Sequence, residues 1–579
     1  MILEIIFLIT SIIIGLILTQ TIFPSKEWIS FFCKTIVFSI IFQTIEAFVL
    51  NYLLNDWNYF LIIGIILNLI LAFVFRSKID FKKKFEWKKL FLFAILFLGF
   101  YLLYQHGMNV QGNNVTSSYP VWGDALFHFS IANNFLEKSI SERDLQYPIF
   151  SGARLAYPFL IDYHLYLFIK AGVNPYYFYL FFAVLMNAIL IFLMLEFMSI
   201  FVSNKLKKII VTCLILLTSS LGIFFLFNGS FNQNYSIPTP TGIFGMTPMV
   251  ITDFYPRRSA DLVYPLFFMF LISIATGEFD KLIKTNKKIL IGILIGLTSF
   301  FEVHFTLIIL LLLALKWLLD RDKNVFRTGL IAFISFIPNV LWIMTSGNNN
   351  SLKLQPGFFS TSLEGLPITL FVNLLPLLIP IIIGLIYYKK LDKTNRLLLL
   401  LGLAIFVISN FIQFHAWNWD NIKFIRYAQF ALIPVFLLKF NKKILIIFLI
   451  IFGLSGISTI LFYYNNTYEF LSQDRTDFAN FIKNTTSSNE IILTSSEPDN
   501  PAIYLAGRKT LAGGDGWLWS HGIPYYPRYS DLKDKISKNE FEQIKQQYGV
   551  QYFSTSENFQ TNKLELLYQK SDWHFYKIR

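Results

Sequence analysis

The chain has 579 residues, 55% hydrophobic and 15% charged, with a mean hydropathy of +0.54 and a formal net charge of +13. A soluble chain of this length would carry about a quarter charged residues, so the composition excludes an ordinary soluble multidomain protein. Lys and Arg cluster in short connections between long apolar runs, which is the pattern of cytoplasmic loops and not of a nucleic-acid surface; no nucleic-acid partner is expected.

The first segment, "MILEIIFLITSIIIGLILTQTIF", lacks a basic leading region and a small-residue cleavage site, so it reads as a retained span. The basic clusters at 77–89, 204–208, 281–288, 320–323, 387–396 and 439–443 are expected to face the cytoplasm. With these inside, spans fall at 2–22, 30–52, 58–76, 89–104, 176–202, 208–228, 260–277, 327–345, 367–387, 396–413, 427–438 and 443–463. Between the clusters at 281–288 and 320–323 both ends lie inside, so the apolar run there goes out and returns as two short helices meeting near Thr298–His304. The fold class is therefore a polytopic α-helical membrane protein of about 13–14 spans, with a small extracytoplasmic α/β domain at its C-terminus. Cys33 and Cys213 both fall within apolar runs and imply no disulfide framework.

Four connections are placed outside, at 105–175, 229–259, 346–366 and 414–426, together with the tail 464–579. The first is too long for a simple connector, and long structured loops are usually functional. In the tail, "RTDFANFIKNT" reads as a helix, and "NEIILTSS", "YGVQYFSTS" and "DWHFYKIR" read as strands. The chain divides into additional N-terminal helices (1–88), a transmembrane module (89–463) and the outer domain (464–579).

Ionisable residues concentrate on these outer connections. In "VWGDALFHFSIANNF" (121–135), Asp124 and His128 are four residues apart, one helical turn, and share a face with Phe127, Ile131 and Phe135. Ser130, Asn133, Asn134 and Glu137 collect on another face, so something other than bulk water should satisfy the acid and the histidine. Further along come Arg154, Asp162 and His164. Asp253, Arg257, Arg258 and Asp261 stand where the chain re-enters the bilayer. Glu302 and His304 sit at the turn of the short helix pair, and His415, Trp417, Trp419, Asp420, Lys423 and Arg426 occupy the fourth connection. Charges at membrane depth are costly unless they pair or line a wet cavity, so this gathering suggests a site. The bland counterparts are interfacial capping, aromatic belts and snorkelling arginines. The Gly-rich "AGGDGW" (512–517) lacks the Lys-Ser/Thr of a phosphate loop and reads as a tight turn.

Taken together, this layout resembles the GT-C superfamily of membrane glycosyltransferases, which includes protein O-mannosyltransferases and the aminoarabinose transferase. Members carry an acid on an interfacial helix of the first large outer loop; Asp124 in "WGDALFHFSIANNF" occupies that place. "LAYPFLIDYHLYLFIKAG" is similar to the Tyr-Pro segment that often follows, and "GILIGLTSFFEVHFTLIILL" resembles a later helix pair. Three spans precede the segment that would be the superfamily's first, and a second adjacent acid found in several members is lacking. The tail, with "WNWDNIKF", looks closer to a group of large prokaryotic membrane proteins that are themselves GT-C-like.

The resemblance implies an inverting transfer of a sugar from a polyprenyl-phosphate-type donor to a glycan, lipid or protein acceptor at the outer face of the cell membrane. Asp124 would act as base or hold a divalent Mg or Mn ion, with His128 beside it. Arg257, Arg258, Lys423 and Arg426 would meet the phosphate. Asp162, His164, Glu302, His304, Asp420 and Trp417 would line the substrate site. Two rivals share the same layout: a transporter or flippase of lipid-linked glycans, and a non-catalytic cell-envelope assembly protein.

Overall fold

The structure is a computed structural model describing residues 2–75, 82–112, 114–136, 145–218, 231–232, 237–238, 258–344, 353–356, 374–414, 421–437, 439–495 and 497–579. Four helices open the chain: α1 (Ile2–Ile22), α2 (Trp28–Leu54), α3 (Trp57–Phe75) and α4 (Trp87–Gly107). The turn from α2 to α3 closes on Asn55, left-handed at φ 52°, which tolerates that conformation better than most residues. At the other end, Trp28 N donates to Lys84 O (3.1 Å) and Lys84 N to Lys26 O (2.8 Å), tying the α1–α2 connection to the segment before α4.

The first outer connection folds as β1 (Met108–Gln111), β2 (Asn114–Ser118), α5 (Tyr119–Leu136), β3 (Gln146–Tyr147), β4 (Phe150–Arg154) and α6 (Leu160–Lys170). Then come α7 (Pro175–Phe201), α8 (Lys205–Leu217), β5 (Phe231–Asn232), β6 (Ile237–Pro238), α9 (Arg258–Ala275), α10 (Glu278–Ile283), α11 (Lys287–Leu297), α12 (Val303–Asp320) and α13 (Lys323–Met344). After β7 (Lys353–Leu354) follow α14 (Leu375–Ile386), α15 (Lys393–Phe411), β8 (Ile412–Gln413), α16 (Ile422–Leu437) and α17 (Lys442–Asn465). Among the described residues, eight helices are long and apolar enough to cross a bilayer: α1–α4, α7, α12, α13 and α15; α9 and α14 are shorter apolar helices. This fits a membrane-embedded protein. The expected spans at 208–228 and 367–387 run into residues outside the described set.

The short helix pair is present. A 3₁₀ turn, Thr298–Phe300, joins α11 to α12. α11 lies close against α13 because Gly292 and Gly296, one turn apart, expose backbone to it. A Cβ on Gly296 would press on Ser335 and stand 2.7 Å from Ala332 O. Asn339 Nδ2 on α13 donates to Ser299 O (2.9 Å), holding the turn itself.

The tail is built as β9 (Thr467–Leu471), α18 (Gln473–Thr485), β10 (Ile491–Thr494), α19 (Pro501–Tyr504), β11 (Lys509–Thr510), α20 (Asp515–Ser520), α21 (Tyr526–Ser537), α22 (Phe541–Tyr548), β12 (Tyr552–Thr555), β13 (Leu564–Lys570) and β14 (Trp573–Ile578). Five strands form one sheet in the order β11-β10-β12-β14-β13, parallel at β11-β10-β12 and antiparallel beyond. The parallel pairs need crossovers, and the helical stretches between β10 and β12 supply them.

The tail is stitched to the 105–175 connection. β9 pairs with β2 to make a β1-β2-β9 sheet. Thr510 N donates to Pro148 O (2.8 Å) and Gly513 N to Ile149 O (2.9 Å). Arg528 lies 4.1 Å from the Phe150 ring centroid and donates to Ser151 O (2.7 Å).

Candidate functional site

α5 packs on α6 so that His128 meets Asp162. The imidazole Nδ1 is 2.7 Å from the carboxylate Oδ1. His128 is 6% exposed and Asp162 0%. Burying a lone carboxylate costs several kcal/mol, so the pair must share charge or a proton. With Asp162 ionised, Nδ1 carries the hydrogen and Nε2 is the open ring nitrogen. Among the described residues, Nε2 has no hydrogen-bond partner, and Asp162 Oδ2 is buried without one. A buried acid that fixes the tautomer of a histidine is the arrangement that makes the far ring nitrogen a proton acceptor.

Asp124 lies one turn before His128 on α5 and is half-buried. Asn133, on the polar face, reaches the tail instead of water: its Nδ2 donates to Tyr504 O (2.5 Å). The tail also caps the dyad's surroundings. His521, just past α20, packs its ring 5.0 Å from Phe127, 5.0 Å from Tyr157 and 5.8 Å from Tyr147, while Tyr157 lies 6.0 Å from the His128 ring. Burial pushes the Tyr147 phenol up from its ordinary value, so it stays neutral. A small cavity of about 10 Å³ lies along α5, lined in part by Ile131, Asn134, Phe135 and Gln146.

α6 is itself braced from the N-terminal helices. Asn51 Nδ2 donates to Tyr163 Oη (2.8 Å), which donates to Ala47 O (3.3 Å). His164, two residues beyond Asp162, points to another side of α6 and packs among Phe168, Phe178 and Phe182. Arg154 lies over the Trp342 ring at 3.8 Å, on the end of α13.

A second polar group forms at the turn before α12. Glu302 Oε1 is 3.7 Å from His304 Nδ1, and the His304 ring lies edge-on to Phe424 of α16 at 4.8 Å. Lys423 is half-buried and Arg426, one turn on, is 1% exposed. α16 meets α9 through Tyr427 and Tyr264 (5.4 Å), and α9 carries Asp261, whose Oδ1 accepts from Asn187 Nδ2 (3.1 Å). Asn421 closes the approach to α16, donating to Ser409 O (3.1 Å) and Ile412 O (2.8 Å) and accepting from Phe414 N (3.1 Å).

Thus the structure brings His128 to Asp162, and Glu302 and His304 to the first turn of α16. No described contact joins these two groups to each other. Arg257, Trp417 and Asp420 lie outside the described residues; Arg258 opens α9, but its side chain is not described. Among the described residues no three or more His, Cys, Asp or Glu side chains gather as a metal site. An Asp124-held Mg or Mn ion would need further oxygen ligands, such as those of a donor phosphate.

His521 was not singled out by sequence. Its signal is the aromatic run "GWLWSHG" directly after the glycines. No protein-family model matches the chain, and no curated protein sequence matches it.

Proposed function

We propose that the chain is a GT-C-type glycosyltransferase of the cell membrane, moving a sugar from a polyprenyl-phosphate-type lipid donor to an acceptor at the outer face, with the tail on that same side. The observation that carries the reading is the His128–Asp162 dyad: a buried acid holds Nδ1 and leaves Nε2 open, one turn from Asp124. In this reading the acceptor O–H or N–H gives its proton to Nε2 or to the Asp124 carboxylate as the acceptor attacks the anomeric carbon. The bond from that carbon to the phosphate oxygen breaks with inversion, and polyprenyl phosphate leaves. Its charge calls for cations, and Lys423, Arg426, Arg257 and Arg258 are the candidates. Phe127, Tyr157 and His521 supply an aromatic wall for the sugar or the lipid chain.

The test uses full-length protein in lipid nanodiscs with a panel of radiolabelled polyprenyl-phosphate sugars, reading release of the lipid phosphate and transfer to acceptor. D124N, H128A and D162N should each lower turnover by about 10²–10⁴-fold, the range of general acid–base catalysis, while the proteins still insert and melt cooperatively. Unchanged turnover in H128A and D162N would remove the dyad from the reaction. Movement of intact donor across vesicles without bond cleavage would replace the enzyme by a flippase.

A further inference from the structure

The N-terminal unit α1–α3 holds a polar cluster unconnected to the dyad chemistry. Glu46 on α2 is 7% exposed and Asn68 on α3 is 0% exposed. Asn68 Nδ2 donates to Glu46 Oε2 (3.0 Å) and faces Thr10 Oγ1 and Ser11 Oγ of α1, each at 3.4 Å. The two hydroxyls spend their own hydrogens on Phe7 O. Glu46 Oε1 and Asn68 Oδ1 are buried acceptors with no partner among the described residues.

The depth of this cluster is informative. Glu46 lies eight residues below the end of α2 at Leu54, about 12 Å at 1.5 Å per residue, in a bilayer core of about 30 Å. It therefore sits near the midplane, where a bare carboxylate is most costly.

Among the described side chains, no cation pairs with it. α3 carries no charged residue, and the only one on α1, Glu4, accepts from Trp57 Nε1 (3.1 Å) at the outer end. On α2 itself, Lys34 pairs with Glu196 of α7 (3.5 Å). The charged or titratable groups of the other helices packed on α2 are engaged elsewhere or form no ion pair with Glu46. On α6 these are Asp162 (with His128), His164, Lys170, Tyr163 and Tyr166, and on α9 they are Asp261 and Tyr264; the side chain of Arg258 lies outside the described residues.

We propose that Glu46 is a membrane-buried proton-binding site, carried at neutral pH as the carboxylic acid in a neutral acid–amide pair with Asn68. The two unpartnered acceptors, Oε1 and Oδ1, flank the existing Nδ2–Oε2 hydrogen bond. One proton on Oε1 supplies the donor that they lack and removes the buried charge in the same step. The ligand is the proton, and Thr10 and Ser11 complete a neutral polar surround.

The deciding measurement is infrared absorption of the full-length protein in nanodiscs at neutral pH, comparing wild type with E46Q. A protonated-carboxyl C=O band present in the wild type and missing from E46Q is expected; its absence from the wild type overturns the proposal. Dicyclohexylcarbodiimide, which reacts with carboxylic acids in apolar surroundings, reads the same point without a variant. The expected result is an adduct on Glu46, mapped by mass spectrometry, whose yield is unchanged by sodium at constant pH. Suppression by sodium would show that a metal cation occupies the site and overturn the proton assignment.

Discussion

At the residue scale, the chemistry turns on one buried pair. Asp124 and His128 could be placed on a common helix face from their spacing, and the apolar company of that face followed from Phe127, Ile131 and Phe135. The partner of His128, however, stands 34 residues away on another helix, a distance no local pattern encodes. Removing one member should show how buried the pair is. D162A is expected to cost about 3–5 kcal/mol, because it strands a buried polar group, and the apolar double variant H128L/D162L should cost less than D162A alone. Thermal unfolding of wild type, D162A and H128L/D162L gives the answer, and equal losses would mean the pair is well hydrated.

Glu497, after β10, offers a pH test. Burial holds its carboxyl above the ordinary glutamate value, against hydrogen bonds from Ser556. A raised folded pKa favours the protonated form, so this group's contribution to stability is full below the ordinary glutamate range. It is lost as pH rises through the raised value. E497Q should flatten that part of the fall in melting temperature, and an unchanged pH profile would count against the burial argument.

At the scale of elements, the long apolar runs and their basic flanks located most helices within a few residues: α1, α3, α7, α9 and α17 all start close to the expected positions. This succeeds because a span must satisfy every backbone group internally, leaving helix as the available form. The small sheets of the first outer connection were not legible. β1, β3 and β4 are too short to show alternation; β1 pairs with β2 and β3 with β4 across a turn, while β2 also finds β9 far along the chain. In the tail, β10, β12 and β14 were readable, whereas β13 was passed over although "LELLYQK" carries the alternation of a sheet edge. The α11–α13 contact gives a direct test. G296L should separate the two helices and cost about 1–3 kcal/mol by overpacking, displacing Glu302 and His304 with the turn. A melting temperature equal to that of wild type would show that the close approach is not required.

At the scale of the whole molecule, the 105–175 connection and the tail meet. Asn133, Pro148, Ile149 and Ser151 of the first connection all bond to tail residues, so the tail acts as a cover for α5. The basic clusters lead one to expect a sidedness that is open to measurement. A cysteine placed at Lys207 should react with a membrane-impermeant maleimide only from the cytoplasmic side, and one at Lys533 only from outside, in a background lacking Cys33 and Cys213. Labelling of both from one side would invert or break the assigned topology.

Composition and spacing by themselves determined a helical chain with apolar helices that fit a membrane, and the turn near Thr298–His304. Those properties follow from hydration costs that act residue by residue along the chain. Which acid pairs with which histidine, that His521 packs near the dyad, and that Glu46 faces Asn68 were decided only by tertiary structure. Such contacts join side chains from separate helices, and their energies exist only once packing has excluded water between them.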